Sequence, residues 1–414
     1  MVLPATGRAW EEIAADLEAA KAKDFSWRGG RMALYFYYLD DALNDVQKKA
    51  YTSFWTENNL GKRAFPSLAK LETDVVEFGL KTVNAPDGAA GTFTSGGSES
   101  IFLALQTARD WARAEKGVRD PNFVVPRTAH PAFSRAGHAL GIEVRRVRTA
   151  RNDFKADVAA MEATLDSKTI GIVGSAPHYP FGVFDPIREL GALAQRRGLW
   201  LHVDACVGGF LSPWVKKLGY AVPEWDFSVP GVTSMSADLH KHGMAPKGAS
   251  LMMLRSDELK QKYQTFDFRD WERGQYLAYT MQGTRPGGAV AAAWSVIQYL
   301  GDSGYLECAR IVMDTKKALM DGVNAIPGLA ALEPSELCIF VTRATDPGLD
   351  IGAVSDAMVA RGWFIGRQAE PAGIHMHVNP IHRESWRTYL EDLRACVEQV
   401  RGARTVGKEA GLTY

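Results

Sequence analysis

The sequence predicts an α/β fold, with a mostly parallel sheet covered by helices on both faces and a smaller C-terminal α+β domain. Short apolar runs alternate with helical stretches through the middle of the chain, as in sheets built from strand–helix units. The pattern changes near Tyr299, where a long helix precedes only a few further apolar runs. The chain has 414 residues, which is more than one compact core usually holds.

We predict three regions along the chain. Residues 1–60 form an N-terminal helical segment, residues 61–298 a large ligand-binding domain, and residues 299–414 a small C-terminal domain. In the first region, Trp10, Ile13, Ala14 and Leu17 are spaced as one face of a helix. A second helix is predicted from about residue 40 to residue 55.

Six apolar runs are the predicted strands of the main sheet. They are Phe123–Val125, Glu143–Val147, Thr169–Val173, Leu199–Val203, Val232–Ser236 and Ser250–Leu254. The predicted helices between them are Phe133–Leu140, Val158–Leu165 and Pro186–Arg197, and a further helix with apolar Ile101, Ala104, Leu105, Ala108 and Ala112 precedes them. The small domain is predicted to contain Cys338–Thr342, Val354–Ala360 and Ile374–Val378.

The composition argues against several classes of function. A formal net charge of +0 gives no reason to expect a nucleic-acid partner or an anionic membrane surface. The first 23 residues lack the apolar core of a signal peptide, and no apolar run approaches the ~18–20 residues that span a bilayer. Four widely spaced cysteines fit free thiols in a reducing compartment. We therefore expect a cytoplasmic protein without an integral membrane segment.

Two strand ends carry the residues that indicate chemistry. Asp204 ends one predicted strand, and the pair His240-Lys241 follows a later one. Ligands of parallel sheets bind at the carboxyl ends of strands. A lysine amine can form a Schiff base with the aldehyde of pyridoxal 5'-phosphate, and a buried aspartate can keep the pyridine nitrogen protonated. We expect partial desolvation to lower the pKa of Lys241. Alternatively, Asp204 is a strand-end cap and Lys241 a solvated lysine.

A glycine-rich loop, Thr94-Ser95-Gly96-Gly97-Ser98, opens a predicted helix. Glycines let backbone N–H groups approach a phosphate, and a helix N-terminus favours an anion. The alternative is a plain serine cap with Glu99 in the first turn. His130 follows a strand, so its flat ring could stack on a pyridine, or it could be a core histidine.

Other polar residues allow more than one interpretation. Lys247 could reach an anionic substrate group or lie on the surface. His375 and His377 alternate on a predicted strand, so both rings point to one face. A metal site there would need a third ligand, and His382 is a doubtful one. Structural roles are favoured for these histidines, and no metal is predicted.

The ordered motifs resemble those of the sphingosine-1-phosphate lyases and their bacterial relatives, within the group II pyridoxal-phosphate decarboxylase family. The resemblance runs from about Tyr37 to His377 and covers most of the chain. It includes Phe65-Pro66-Ser67, Thr94 to Ile101, Arg127-Thr128-Ala129-His130, Gly174-Ser175-Ala176-Pro177, His202 to Phe210, His240-Lys241, Ala245 to Gly248, Gly283 to Gly288 and Ile374-His375.

The resemblance implies the fold-type I architecture of pyridoxal-phosphate-dependent transferases, which is aspartate aminotransferase-like, and a homodimer with its active site at the interface. Lys241 matches the Schiff-base lysine, Asp204 the pyridinium partner and His130 the ring-stacking histidine. The remaining matches are implied contacts: Gly97, Ser98 and His240 with the cofactor phosphate, Thr284 with that phosphate from the other subunit, and Tyr37, Asn58 and Lys247 with the substrate.

The chain departs from the family pattern in the substrate pocket. A family histidine that helps to hold the substrate phosphate is Gly61 here, and Lys62, Arg63 and Arg367 are the cations that could compensate. An aromatic pair around the active lysine reads His242 and Met244. These changes lie outside the predicted cofactor pocket. The sequence therefore defines the chemistry more closely than the identity of the substrate.

The leading hypothesis is a carbon–carbon lyase. It would cleave a β-hydroxy amine phosphate, such as a sphingoid base 1-phosphate, to an aldehyde and phosphoethanolamine by Schiff-base formation and retro-aldol cleavage. His178, Tyr179 and Lys241 are candidate bases, and His178 and Arg367 candidate substrate ligands. The alternatives are an amino-acid decarboxylase, in which Arg285 or Arg367 orients an acidic substrate, an aldolase acting on a smaller β-hydroxy amino acid, and a cofactor-binding protein without catalysis.

Overall fold

The structure is a computed structural model, and it describes residues 3–61, 63–149 and 153–403. Lys62 and the last residues of the predicted small domain lie outside these ranges. In the described part of the chain, no helix is both long and apolar enough to cross a membrane.

A seven-stranded sheet forms the centre of the described chain. Its strands are β1 (Ala90–Thr94), β2 (Asn122–Pro126), β3 (Glu143–Val147), β4 (Thr169–Ser175), β5 (Trp200–Asp204), β6 (Val232–Ala237) and β7 (Ser250–Leu254). Their order is β1-β7-β6-β5-β4-β2-β3, and β7 is antiparallel to both of its neighbours. The other pairs are parallel, so β1, β4, β5 and β6 end at the same edge.

Helices cover this sheet and connect its strands. The first nine are α1 (Trp10–Ala20), α2 (Asp41–Ser53), α3 (Pro66–Thr82), α4 (Gly97–Lys116), α5 (Ala132–Leu140), α6 (Val158–Ala163), α7 (Ile187–Arg197), α8 (Ser212–Lys217) and α9 (Asp257–Leu259). The central strands β2, β4 and β5 are buried along their whole length, as expected where helices cover both faces. This arrangement confirms the predicted mostly parallel sheet.

The C-terminal part contains a second, four-stranded sheet. Its elements are α10 (Gly287–Asn324), β10 (Leu329–Ala331), β11 (Ile339–Ala344), α11 (Ile351–Ala360), β12 (Gly366–Ala369), β13 (Ala372–His377) and α12 (His382–Ala403), after the small hairpin formed by β8 (Phe266–Phe268) and β9 (Tyr276–Ala278). Gly301 interrupts α10 with φ 55° and ψ −171°. The predicted division at residues 298 and 299 lies close to this break and stays a prediction.

Arg285 and Glu72 form a buried ion pair that fixes the loop before α10 to α3. The Arg285 guanidinium lies 3.1 and 3.2 Å from the two carboxylate oxygens of Glu72. It also donates to the backbone oxygen of Phe93 at the end of β1, at 2.9 Å. Both side chains are about nine-tenths buried. The Arg285 guanidinium is therefore occupied by structural contacts. This argues against Arg285 as one of the two arginines proposed to orient an acidic substrate.

Candidate active site

A cavity of about 450 Å³ lies at the carboxyl ends of β1, β4, β5 and β6. The segments that follow these four strands supply most of its walls, and Tyr35, Tyr37, His130 and His377 complete them. The sheet therefore brings together residues that are far apart in sequence, at the edge where parallel sheets bind ligands. The wall includes Ser95, Gly96, Gly97, Ser98, Asp204, Asp238, His240 and Lys241.

The loop between β1 and α4 approaches the floor of the cavity closely. A Cβ atom added at Gly97 would lie 2.7 Å from Cys206 Sγ and 2.9 Å from both carboxylate oxygens of Asp238. Ser95 donates through its backbone N–H and its hydroxyl to Glu99, both at 2.7 Å. Gly97 and Ser98 thus stand at the N-terminus of a 20-residue helix and face the cavity, as an anion site requires.

Asp204 and His130 line the same cavity. Asp204 Oδ1 accepts from the Cys206 backbone N–H at 3.1 Å, which fixes the carboxylate at the end of β5. His130 Nδ1 accepts from the Ala132 backbone N–H at 3.1 Å. Burial lowers the pKa of His130, although the neighbouring Asp204 opposes this shift. The neutral imidazole therefore presents a flat ring to the cavity.

Lys241 does not have the pKa that the sequence predicted. Burial alone would lower this pKa, but Asp238 raises it and the net value lies well above the usual range. Lys241 Nζ lies 3.0 Å from Asp238 Oδ2. The expected fall in the pKa of Lys241 is wrong for this structure because a buried carboxylate stabilises the ammonium.

Asp238 lines the cavity but was not predicted as a site residue from the sequence. Its side chain is 2% exposed, and its Oδ2 also lies 3.6 Å from His240 Nε2. Burial would raise the pKa of Asp238, but Lys241 and His240 outweigh this and the net pKa is lowered. Its position three residues before Lys241 was a usable signal, because one turn joins the two side chains.

Tyr37 and Lys247 also line the cavity. Lys247 Nζ lies 4.7 Å from the centre of the Tyr37 ring and donates to the His240 backbone oxygen at 3.2 Å. Burial and the charge of Lys241 lower the pKa of Lys247 to about 8. Lys247 therefore lies at the mouth of the cavity, where its side chain is exposed to solvent.

The two histidines on β13 have different hydrogen-bond partners. His375 donates from Nε2 to the Tyr179 backbone oxygen at 2.9 Å. His382, the doubtful third ligand, donates to the Met32 oxygen and accepts from the Asn379 N–H, so it is held by the backbone. His377 instead meets His242, with 3.0 Å between their Nε2 atoms.

Four predicted site residues do not line this cavity in a single chain. His178 is buried with its ring edge-on to Phe181, and its neighbour Tyr179 faces the cavity instead. Arg367 pairs with Asp356 and lines an adjoining cavity of about 230 Å³ that shares Tyr35, His130 and Tyr179 with the main one. His178 is therefore not placed to contact a ligand in this cavity.

Asn58 and Thr284 lie on two separate loops, and neither residue lines the cavity. The Asn58 side chain accepts from the Leu60 N–H, and Asn58 forms an isolated bridge with Pro286. Gly61 has no side chain near the cavity, and a Cβ added there would contact only Ala64. Asn58 and Thr284 are therefore not part of the cavity of their own chain.

Comparison with known proteins identifies the family. Residues 35–330 match the pyridoxal-dependent decarboxylase conserved domain, so the chain belongs to the family of pyridoxal-dependent decarboxylases. Sphingosine-1-phosphate lyase of Oryza sativa subsp. japonica is 37% identical over 406 residues, which are 96% of this chain and 74% of that protein. Sphingosine-1-phosphate lyase 1 of Rattus norvegicus is 36% identical over 414 residues, 99% of this chain and 72% of that one.

Solved structures agree with this assignment. The sphingosine-1-phosphate lyase of Burkholderia pseudomallei superposes with a TM-score of 0.92 at 33% identity, covering 98% of this chain and 94% of that one. A glutamate decarboxylase of Lactobacillus brevis has a TM-score of 0.86 at 20% identity, which shows a common fold. The predicted fold class, family and cofactor are thereby confirmed.

The residues present fit pyridoxal 5'-phosphate. The cavity offers an amine at Lys241, a fixed carboxylate at Asp204, a flat neutral ring at His130 and a helix N-terminus at Gly97 and Ser98. The close approach at Gly97 leaves no room for a side chain there. This set supplies one group for each part of the cofactor: aldehyde, ring nitrogen, ring face and phosphate.

Proposed function

We propose that this protein is a pyridoxal-phosphate-dependent carbon–carbon lyase that cleaves sphingoid base 1-phosphates to an aldehyde and phosphoethanolamine. The carrying observation is the placement of Lys247 and Tyr37 beside Lys241 in one cavity, together with the 37% identity to a sphingosine-1-phosphate lyase. An amine phosphate has a nitrogen for the Lys241 end of the cavity and an anion for the Lys247 end. Assay of the two products tests the proposal.

The bound cofactor supplies an electron sink for breaking the bond between Cα and Cβ. Asp204 would hold a proton at the ring nitrogen, and His130 would pack on the ring face. Lys241 would bind the cofactor and later take or return a proton near Cα. Asp238 holds Lys241 in position and balances its charge.

The substrate end of the cavity favours a phosphate. Lys247 is directed over the Tyr37 ring, and the Tyr37 hydroxyl lies 3.3 Å from His377 Nε2. Of the three candidate bases, Tyr179 lines both adjoining cavities and Lys241 lines the main one, whereas His178 lines neither. The arginines proposed for an acidic decarboxylase substrate are engaged, Arg285 with Glu72 and Arg367 with Asp356. These contacts favour the lyase over the decarboxylase.

Replacing Lys247 with alanine should raise the KM for a phosphorylated substrate about ten- to hundredfold. A hydrogen bond to a charged group contributes about 1.5–3 kcal/mol, and its loss leaves the phosphate without this cation. The cofactor spectrum should not change. Lys216→Ala, which removes an exposed lysine from α8, is the matched control. Equal KM values for parent and Lys247→Ala would remove Lys247 from the substrate site.

The same lysine predicts a pH dependence. With a pKa of about 8, Lys247 is a cation below that pH and loses its charge above it. A bound phosphate would raise this pKa, so affinity should be greatest below pH 8 and fall as the pH rises through it. Lys247→Arg keeps its charge and should remove this break from the KM profile.

We further propose a homodimer in which a second copy completes each cavity. Three observations support it. Thr284 lies outside the cavity of its own chain. The apolar face of α1, formed by Trp10, Ile13 and Leu17, is exposed. Phe266, Phe268 and Leu277 of the β8–β9 hairpin are also exposed.

The dimer is expected to appear as a species of twice 45.4 kDa in sedimentation of the cofactor-loaded protein at micromolar concentration. Introducing a charge on the apolar face of α1, as in Leu17→Glu, should weaken the interface and shift the measured mass toward that of one chain. A single-chain mass for the fully active parent protein would contradict the proposal.

A cytoplasmic location also stays a prediction. It is inferred from the four cysteines, which are buried free thiols.

A further inference from the structure

Three buried side chains converge behind the Tyr37 wall of the cavity, and we call them the His242–Cys338–His377 cluster. His242 follows Lys241, Cys338 precedes β11, and His377 ends β13. One ligand atom from each lies within 4.8 Å of the others, and all three residues are buried. His377 also lines the cavity, which provides a path from solvent.

Hydrogen bonding does not account for this convergence. His377 Nε2 lies 3.0 Å from His242 Nε2, 3.5 Å from Cys338 Sγ and 3.3 Å from the Tyr37 hydroxyl. One ring nitrogen of a neutral imidazole either donates one proton or accepts with one lone pair. The Nε2 atom of His377 can therefore form a hydrogen bond with only one of the three polar atoms around it, whereas a cation among these atoms would bind several of them at once.

The spacing matches a tetrahedral zinc site. Bond lengths of about 2.0–2.1 Å to nitrogen and about 2.3 Å to sulfur place two nitrogens about 3.4 Å apart and nitrogen and sulfur about 3.6 Å apart. The corresponding distances here are 3.0 Å for the two histidine nitrogens and 3.5 Å for His377 and Cys338, and the ligand atoms of His242 and Cys338 lie within 4.8 Å of each other. Separating the two imidazoles by a few tenths of an ångström would admit the ion.

We propose that the His242–Cys338–His377 cluster binds a divalent cation of the zinc class. Two imidazoles and a thiolate are donors that zinc prefers in proteins. The fourth position lies on the side of the Tyr37 hydroxyl and is filled by that oxygen or by water from the cavity. The nearby Lys241 ammonium opposes a second cation. Binding of the ion would displace the Cys338 thiol proton to solvent, and the resulting thiolate would supply a compensating negative charge.

From the sequence, His375 and His382 were the possible partners of His377 in a metal site. In the structure these two histidines form backbone hydrogen bonds, and His242 and Cys338 lie next to His377 instead.

The test is the metal content of the untagged, cofactor-loaded protein after exposure to micromolar zinc and removal of free ions. About one zinc per chain is expected. Cys338→Ser should reduce the content at least tenfold, and Cys308→Ser, which replaces another buried cysteine outside the cluster, should retain it. Zinc content in the parent below about a tenth of an ion per chain, or equal content in Cys338→Ser, overturns the proposal.

Cobalt provides a second measurement that needs no variant. Co²⁺ in this site should show the intense visible bands of a four-coordinate ion with a thiolate ligand, at longer wavelength than the cofactor absorbs. The weak bands of a six-coordinate ion would overturn the proposal even if Cys338→Ser failed to fold. Neither readout depends on turnover, so the result is separate from the success of the lyase assignment.

Discussion

Lys241→Ala is expected to lose turnover by about 10⁴-fold or more, the order of loss seen when a covalent nucleophile is removed. The variant should also fail to attach the cofactor. Borohydride reduction should add the mass of the reduced cofactor to the parent chain, at Lys241, and should leave the variant unchanged. The physical reason is that Lys241 supplies the only amine besides Lys247 among the described residues of the cavity wall.

Lys217→Ala is the matched control for this variant. Lys217 is an exposed lysine whose ion pair is with Asp302, so its loss should leave turnover and cofactor attachment intact. Measurable turnover and a reducible cofactor bond in Lys241→Ala would show that another lysine carries the chemistry.

Asp204→Asn is expected to retain the cofactor but to lower kcat about 10²- to 10³-fold. Asparagine is nearly the same size and can still accept from the Cys206 N–H, so the end of β5 should keep its shape. It lacks the negative charge that would hold a proton at the ring nitrogen. A loss of this order is typical when a positioned electrostatic group is removed from an active site.

Asp226→Asn is the control for the charge change. Asp226 is another buried aspartate, but it accepts from Asn84 and Ser228 away from the cavity. Its replacement should affect stability and not kcat. If Asp204→Asn turned over like the parent, the ring nitrogen would not depend on this carboxylate.

The strands of the main sheet were predicted well because their signal is local. β3 and β7 have the predicted bounds, and β5 is displaced by one residue. β1 was missed because Gly91 and the following glycine-rich loop resemble a turn, and its strand character comes from pairing with β7. The short strands β10 and β12 depend in the same way on neighbours that are distant in sequence.

The site was predictable where a motif adjoins a predicted strand or helix. Lys241 and Asp204 lie beside predicted strand ends, and Ser98 lies in a glycine-rich loop that opens a predicted helix. The structure brings all three to one cavity. The pKa of Lys241 was not predictable from burial alone, since its direction depends on Asp238. The approach of Cys338 to His242 could not be predicted either, because it requires the small sheet to be packed against the turn after β6.

The most direct test of the lyase assignment is incubation of the cofactor-loaded protein with a sphingoid base 1-phosphate, with assay of aldehyde and phosphoethanolamine. We predict both products in equal amounts and no carbon dioxide. That result would also show that the cavity holds a phosphate although Gly61 replaces a histidine. The absence of both products, from protein whose cofactor is attached to Lys241, would contradict the proposed substrate and leave the fold and cofactor assignments in place.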